Sequence, residues 1–124
     1  MGSLIEHYEL VRAPIPADRW QYAYGWSREE AARMDGTSSE VRLYHVGPTG
    51  TREINEGKAS IFEFGYGGTG PHDSARAIVM DLTGARDPWT PARLRELVPE
   101  VFGREAGHDD TRCLIMAEDV RRRL

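Results

Sequence analysis

Alternation of apolar and polar positions dominates the first half of the chain, and a three-to-four spacing dominates the second. Over residues 4–13, Tyr8 and Leu10 alternate with polar neighbours, which predicts a strand that Pro14-Ile15-Pro16 ends. Residues 20–26 alternate strictly and, if extended, set Trp20, Tyr22, Tyr24 and Trp26 on one face. Ser27 with Glu30 has the spacing of a capping box and predicts a short helix to about Met34, closed by Asp35-Gly36. Residues 41–46 and 51–55 read as the arms of a hairpin around Gly47-Pro48-Thr49-Gly50. Residues 59–64 read as one more strand.

Beyond residue 70 the period lengthens. Ala75, Ile78, Val79 and Leu82 form one helical stripe, with Asp73 or Ser74 expected to cap its start and Gly84 just past its end. Residues 85–88 read as a linker. Thr90 before Pro91 predicts an N-cap with proline at the first helical position, and Leu94, Leu97, Val98 and Val101 repeat the stripe until Pro99 interrupts it. After a loop over 103–110, a last helix is expected over about 111–123, with Cys113, Met116, Ala117 and Val120 on one face. Strands then lead and helices follow. This order predicts an α+β fold: a small antiparallel sheet, a glycine-rich strand-to-helix turn, and C-terminal helices packed on the sheet. The 124 residues suffice for one domain. Within it, 1–40 reads as an N-terminal extension, 41–84 as hairpin, strand, glycine turn and helix, and 85–124 as a helical C-terminal part.

The glycine turn is where chemistry is expected. Gly65, Gly67, Gly68 and Gly70 fall within six residues, between an apolar strand and a helix start. Glycine costs backbone entropy, so this density marks positive φ or a close approach to the backbone. Free N–H groups at a helix start, together with the helix dipole, favour an anion. The detail departs from known phosphate loops: Pro71-His72 stand where a P-loop has Lys and Ser/Thr, and GxGxxG laid on 65, 67 and 70 lacks a βαβ setting. Two readings stay open, a tight turn that packs helix on strand and an anion contact. In the second, backbone amides around Gly67, Gly68 and Gly70 contact the anion, Tyr66 covers the ligand, and Thr69, His72 and Ser74 orient it.

Other constellations have simpler explanations. His72, Asp73 and Ser74 are consecutive and point apart on a helix, unlike a catalytic relay. His108, Asp109 and Asp110 with His72 and Asp73 have no metal-demanding spacing, so no metal is expected. Arg121, Arg122 and Arg123 complement a helix C-terminus. The aromatic row at 20–26 suits a core, a protein interface or a dimer contact better than a stacked base. Composition adds exclusions. A net charge of −4 gives no global field for nucleic acid or anionic lipid, and no apolar run reaches membrane-spanning length. With no basic-then-apolar leader, a cytoplasmic location is expected. The single cysteine excludes an internal disulfide and a CxxC site.

The segment Ile61-Phe62-Glu63-Phe64-Gly65-Tyr66-Gly67-Gly68-Thr69-Gly70-Pro71, with the alanine-containing helix behind it, resembles a family of small uncharacterised bacterial and phage domains that share a GYGGSGP-like turn. The resemblance covers roughly residues 41–84. Thr69 stands where serine is commoner, and the family carries no assigned activity. The resemblance implies a small bacterial or phage accessory protein.

Together these readings predict a non-catalytic protein that binds a nucleotide-like anion, or a protein partner, through the glycine-rich turn, with no cofactor. A His-based or metal-assisted phosphoester hydrolase and a pure interaction module using the Trp20–Trp26 face are the alternatives. No reaction is assigned.

Overall fold

The computed structural model describes residues 5–86, 88–103 and 110–124. Its centre is a four-stranded antiparallel sheet in the order β3-β2-β1-β4. The strands are β1 (His7–Pro14), β2 (Ser39–Gly47), β3 (Gly50–Ile54) and β4 (Arg112–Met116). The α+β class is therefore as expected, and so is the hairpin of β2 and β3, whose register closes at Gly47↔Gly50. The first 40 residues, expected as an extension, supply β1, an inner strand between β2 and β4.

One face of the sheet is the core. Tyr8 and Leu10 of β1, Val41 and Leu43 of β2, and Cys113 and Ile115 of β4 are buried on it, as period-two alternation demands. Against them lie helices α3 (Thr69–Thr83), α4 (Pro91–Leu97) and α5 (Ala117–Arg123), with a 3₁₀ turn at Pro99–Val101. The α3 stripe is Ala75, Ile78 and Val79, each fully buried, and Gly84 ends the helix at φ 71°. Thr90 caps α4 by accepting from the Arg93 amide, and the helix stops before Pro99. Helices α1 (Ala17–Tyr24) and α2 (Arg28–Met34) form a separate small cluster around Ile15, Trp20 and Ala31. The buried pair Arg19–Glu40 (2.6 Å) and the bond from the Tyr24 hydroxyl to Glu40 (2.7 Å) fasten that cluster to β2. Ser27 caps α2, its hydroxyl accepting from the Glu30 amide and donating to the Glu30 carboxylate.

Four expectations are corrected. Residues 20–26 are not extended: α1 runs from Ala17 to Tyr24 and ends at Gly25 with φ 73°. Trp20 and Tyr24 are four apart and meet at 4.9 Å between ring centroids, so the alternating row also satisfied a helical period. No continuous aromatic face results, since Trp20 is buried beneath Trp26 and Tyr24, whereas Tyr22 is 81% exposed. Residues 59–64 make no full strand; a single bridge, Val41↔Phe62, pairs them with β2. Asp73 and Ser74 do not cap α3, which starts at Thr69 with Gly68 at the N-cap. The expected last helix divides into β4 and α5, because Cys113 pairs with Leu10 and Ile115 with Tyr8 across the sheet. Strands therefore do not all precede helices.

At the end of β1, Glu6 joins three elements. Its carboxylate bonds His45 of β2 and Arg121 of α5, each at 2.6 Å, and its carbonyl accepts from the Ala117 amide. The hydrogen bond with His45, reinforced by Arg121, holds the Glu6 carboxyl below its ordinary value. Burial pushes Asp81 upward, but bonds from Arg52 and Tyr8 more than offset this and leave it lowered too. Carboxyls lowered by folding stabilise the native state above their unfolded pKa and lose that contribution as pH falls through the folded value. The urea midpoint should therefore drop as the pH falls below the ordinary carboxylate range, and Glu6→Gln should flatten that drop. An unchanged acid limb in Glu6→Gln would contradict this account.

Candidate functional site

The glycine segment is held from both sides. Phe62 and Phe64 are buried in the core, so the chain between them runs along α3. Ser74 braces it there: its hydroxyl accepts from the Glu63 amide (2.9 Å) and donates toward the carbonyls of Glu63 (2.7 Å) and Gly70 (3.1 Å). Ser60 donates to the Val41 carbonyl, and the Gly65 amide donates to the Val101 carbonyl (2.8 Å). Gly65 alone within 65–70 has a positive φ, 96°, which requires glycine there. The other three glycines answer to close approach. A Cβ would lie 2.5 Å from Nη2 of Arg95 at Gly67, 2.4 Å from Cε2 of Tyr66 at Gly68, and 2.7 Å from Cβ of Glu63 at Gly70.

Between these fastenings the backbone carbonyls of Gly67, Gly68 and Gly70 find donors but the amides do not. The amides of Tyr66, Gly67, Gly68, Thr69 and Gly70 have no acceptor among the described residues, and the first helical bond is from His72 to Gly68 (3.3 Å). No side chain caps α3 and its first turn holds no acid. Tyr66 is half exposed, with its ring along Gly68 and its hydroxyl toward Gly70, so it partly overlies these amides. Arg95 of α4 lies across Gly67, donates to its carbonyl (3.2 Å) and stacks over Phe102 at 4.9 Å. It makes no ion pair among the described residues. On the opposite flank Arg12 is bidentate on Glu63 (2.7 and 2.9 Å) and lies over Phe64. That pairing neutralises the one carboxylate beside Gly70.

The expected site residues thus divide. Tyr66, Gly67, Gly68, Thr69 and Gly70 come together at the start of α3, and Tyr66, Gly67 and Thr69 are exposed. Ser74 is not available to orient a ligand, because it is fully buried and its hydroxyl is used by the backbone. His72 is partly buried against Phe102, 4.7 Å between ring centroids. A carbonyl only accepts, so Nδ1 carries a proton donated to Gly68 (2.8 Å), while Nε2 is enclosed with no partner. Asp73 bonds Arg76, not His72. His108 and Asp109 lie outside the described residues. The arginines at the chain end are engaged: Arg121 with Glu6, Arg122 with Asp119, Arg123 with Glu100. Arg95, Phe102 and Arg12 were missed by sequence reasoning, since no local pattern links them to a turn about 30 to 50 residues away.

Two glycine substitutions separate packing from function. Gly70→Ala forces a Cβ against the Cβ of Glu63, where the backbone is braced, and should cost roughly 1–3 kcal/mol in chemical denaturation. Gly67→Ala meets only the mobile tip of Arg95 and should cost less than about 1 kcal/mol. Equal losses in both would show that the two contacts are not as described.

No family model matches the chain, and no curated protein or solved structure matches it, so a functional reading rests on this geometry.

Proposed function

We propose that this protein binds a phosphate-bearing small molecule, nucleotide-like in kind, at the start of α3, and holds it without turning it over. One observation carries the reading: five consecutive amides, Tyr66 to Gly70, lack acceptors among the described residues, beside a guanidinium, Arg95, that no carboxylate of the described residues neutralises. Unsatisfied N–H groups at a helix start offer hydrogen bonds to phosphate oxygens, and the dipole adds to the attraction. Arg95 adds a planar, permanently charged donor set that matches phosphate geometry. Its stack on Phe102 keeps it near the turn. Tyr66 supplies a movable cover. Thr69, exposed in the first turn, offers a hydroxyl on the same side.

A polar charge network around a reacting atom would favour catalysis instead. Here His72 donates to a backbone carbonyl and Asp73 turns to Arg76, so the two form no acid–base pair. The small bacterial or phage accessory protein implied by the resemblance fits a role of sequestering a ligand.

Titration calorimetry with inorganic phosphate and with a nucleoside diphosphate tests the reading. Binding is expected, weakened about tenfold or more by Arg95→Gln, since a hydrogen bond to a charged group contributes about 1.5–3 kcal/mol. Folded protein that gives no heat with either would sink it, and so would an Arg95→Gln variant that binds equally well.

A further inference from the structure

A second concavity lies along α3, beside the end of β3. It encloses about 470 Å³ between the helix and the chain around residues 54–62. Its apolar walls are Ile54, Ile61 and Phe62 on one side and Ala77 and Met80 on the other. Ile61 is 62% exposed, a large aliphatic group left in solvent beside the opening. Volumes of this size, mostly apolar with a few polar groups, are typical of small-molecule sites.

The polar groups in the lining are not equivalent. Asp81 has both oxygens occupied, by Arg52 and by the Tyr8 hydroxyl. Asp73 and Arg76 meet through one bond, Nη1 to Oδ1 at 3.3 Å. Oδ2 of Asp73, and Nε and Nη2 of Arg76, have no partner among the described residues. The groove therefore ends in an acceptor and a donor side by side, each with capacity unused, next to apolar walls.

We infer that this groove takes a purine base, guanine in particular, whose edge presents a carbonyl beside two N–H donors. Arg76 donates to the carbonyl, as arginine does to guanine O6. Asp73 accepts from the adjacent N–H groups, and Ile61 and Met80 cover the faces of the ring. The inference rests on the nucleotide reading above and extends it. Thr69 and Asp73 are one helical turn apart on the same side of α3, about 6 Å along the axis. A phosphate at the glycine amides and a base in the groove would then be two ends of one molecule. Glu63, beside Gly70, is neutralised by Arg12.

The test separates the two halves by using guanosine, inorganic phosphate and guanosine monophosphate on the full chain. Guanosine is expected to shift the methyl resonances of Ile61 and Met80 and leave the amides of Gly67 and Gly68 unmoved. Phosphate is expected to do the reverse, and the monophosphate to shift both sets and bind tightest. Asp73→Asn, which alters only a partly exposed pair, is expected to weaken guanosine and the monophosphate at least tenfold and leave phosphate affinity unchanged. Phosphate that binds while guanosine leaves Ile61 and Met80 unmoved would overturn the groove and spare the turn. Guanosine that binds while phosphate does not would support the groove and overturn the turn. Undiminished guanosine affinity in Asp73→Asn would overturn the assignment of the base edge.

Discussion

The hydroxyl of Ser74 is the constraint on which the candidate site depends. It serves both the N–H and the C=O of Glu63 while sitting in the first turns of α3, fully buried. Without it the partly buried Glu63 amide would lose its partner, a cost of about 1 kcal/mol. The brace also sets where the glycine segment begins, and the Val101 carbonyl fixes Gly65 two residues later. Between Gly65 and α3 the chain has to turn sharply and pass under Tyr66 and Arg95. Side chains at 67, 68 and 70 would collide there, so the glycines are a packing requirement. The same requirement leaves their amides unpaired. The tight-turn reading and the anion reading are thus two consequences of one geometry.

Charge placement sharpens this. The chain is rich in arginine, and most of the described arginines near strands and helices are spent on carboxylates: Arg19 on Glu40, Arg42 on Glu53, Arg52 on Asp81, Arg12 on Glu63. These pairs tie elements together and cancel fields at the surface. Arg95 is used differently, on a carbonyl and an aromatic ring. A guanidinium in that setting keeps its full charge for whatever approaches Gly67. The chain-end arginines, by contrast, are committed to Glu6, Asp119 and Glu100, so a high arginine count there gives no basic surface.

What the sequence made legible was local. The Ser27 cap, the Thr90-Pro91 start, the α3 stripe with Gly84 and the β2–β3 hairpin are each encoded within a few residues. What it hid was set by distant partners. Residues 112–116 alternate weakly, and only β1 makes them a strand. The aromatic row at 20–26 satisfies a period of two and a spacing of four at once, and packing of Trp20 against Tyr24 and Trp26 decided for helix. In the site, glycine density located the turn. It could not show that Ser74 faces inward, because helix phase was misplaced by the expected cap at Asp73 or Ser74. Nor could it bring Arg95 to Gly67 across 28 residues.

Helix α3 finally explains why both concave features lie on it. Its buried stripe, Ala75, Ile78 and Val79, is seated against the sheet with no exposed surface. A helix anchored on one side is rigid, and its outward groups, Thr69, Asp73, Arg76 and Met80, are held at fixed spacing. The first-turn amides are fixed with them. Binding groups mounted on such an element lose little freedom when a ligand arrives, so modest contacts suffice for measurable affinity. The parts that must move to admit a ligand, Tyr66 and the tip of Arg95, are exposed side chains whose rearrangement leaves the backbone in place. The sheet and helix core thus supplies rigidity, and the adaptable groups are confined to the surface of the proposed site.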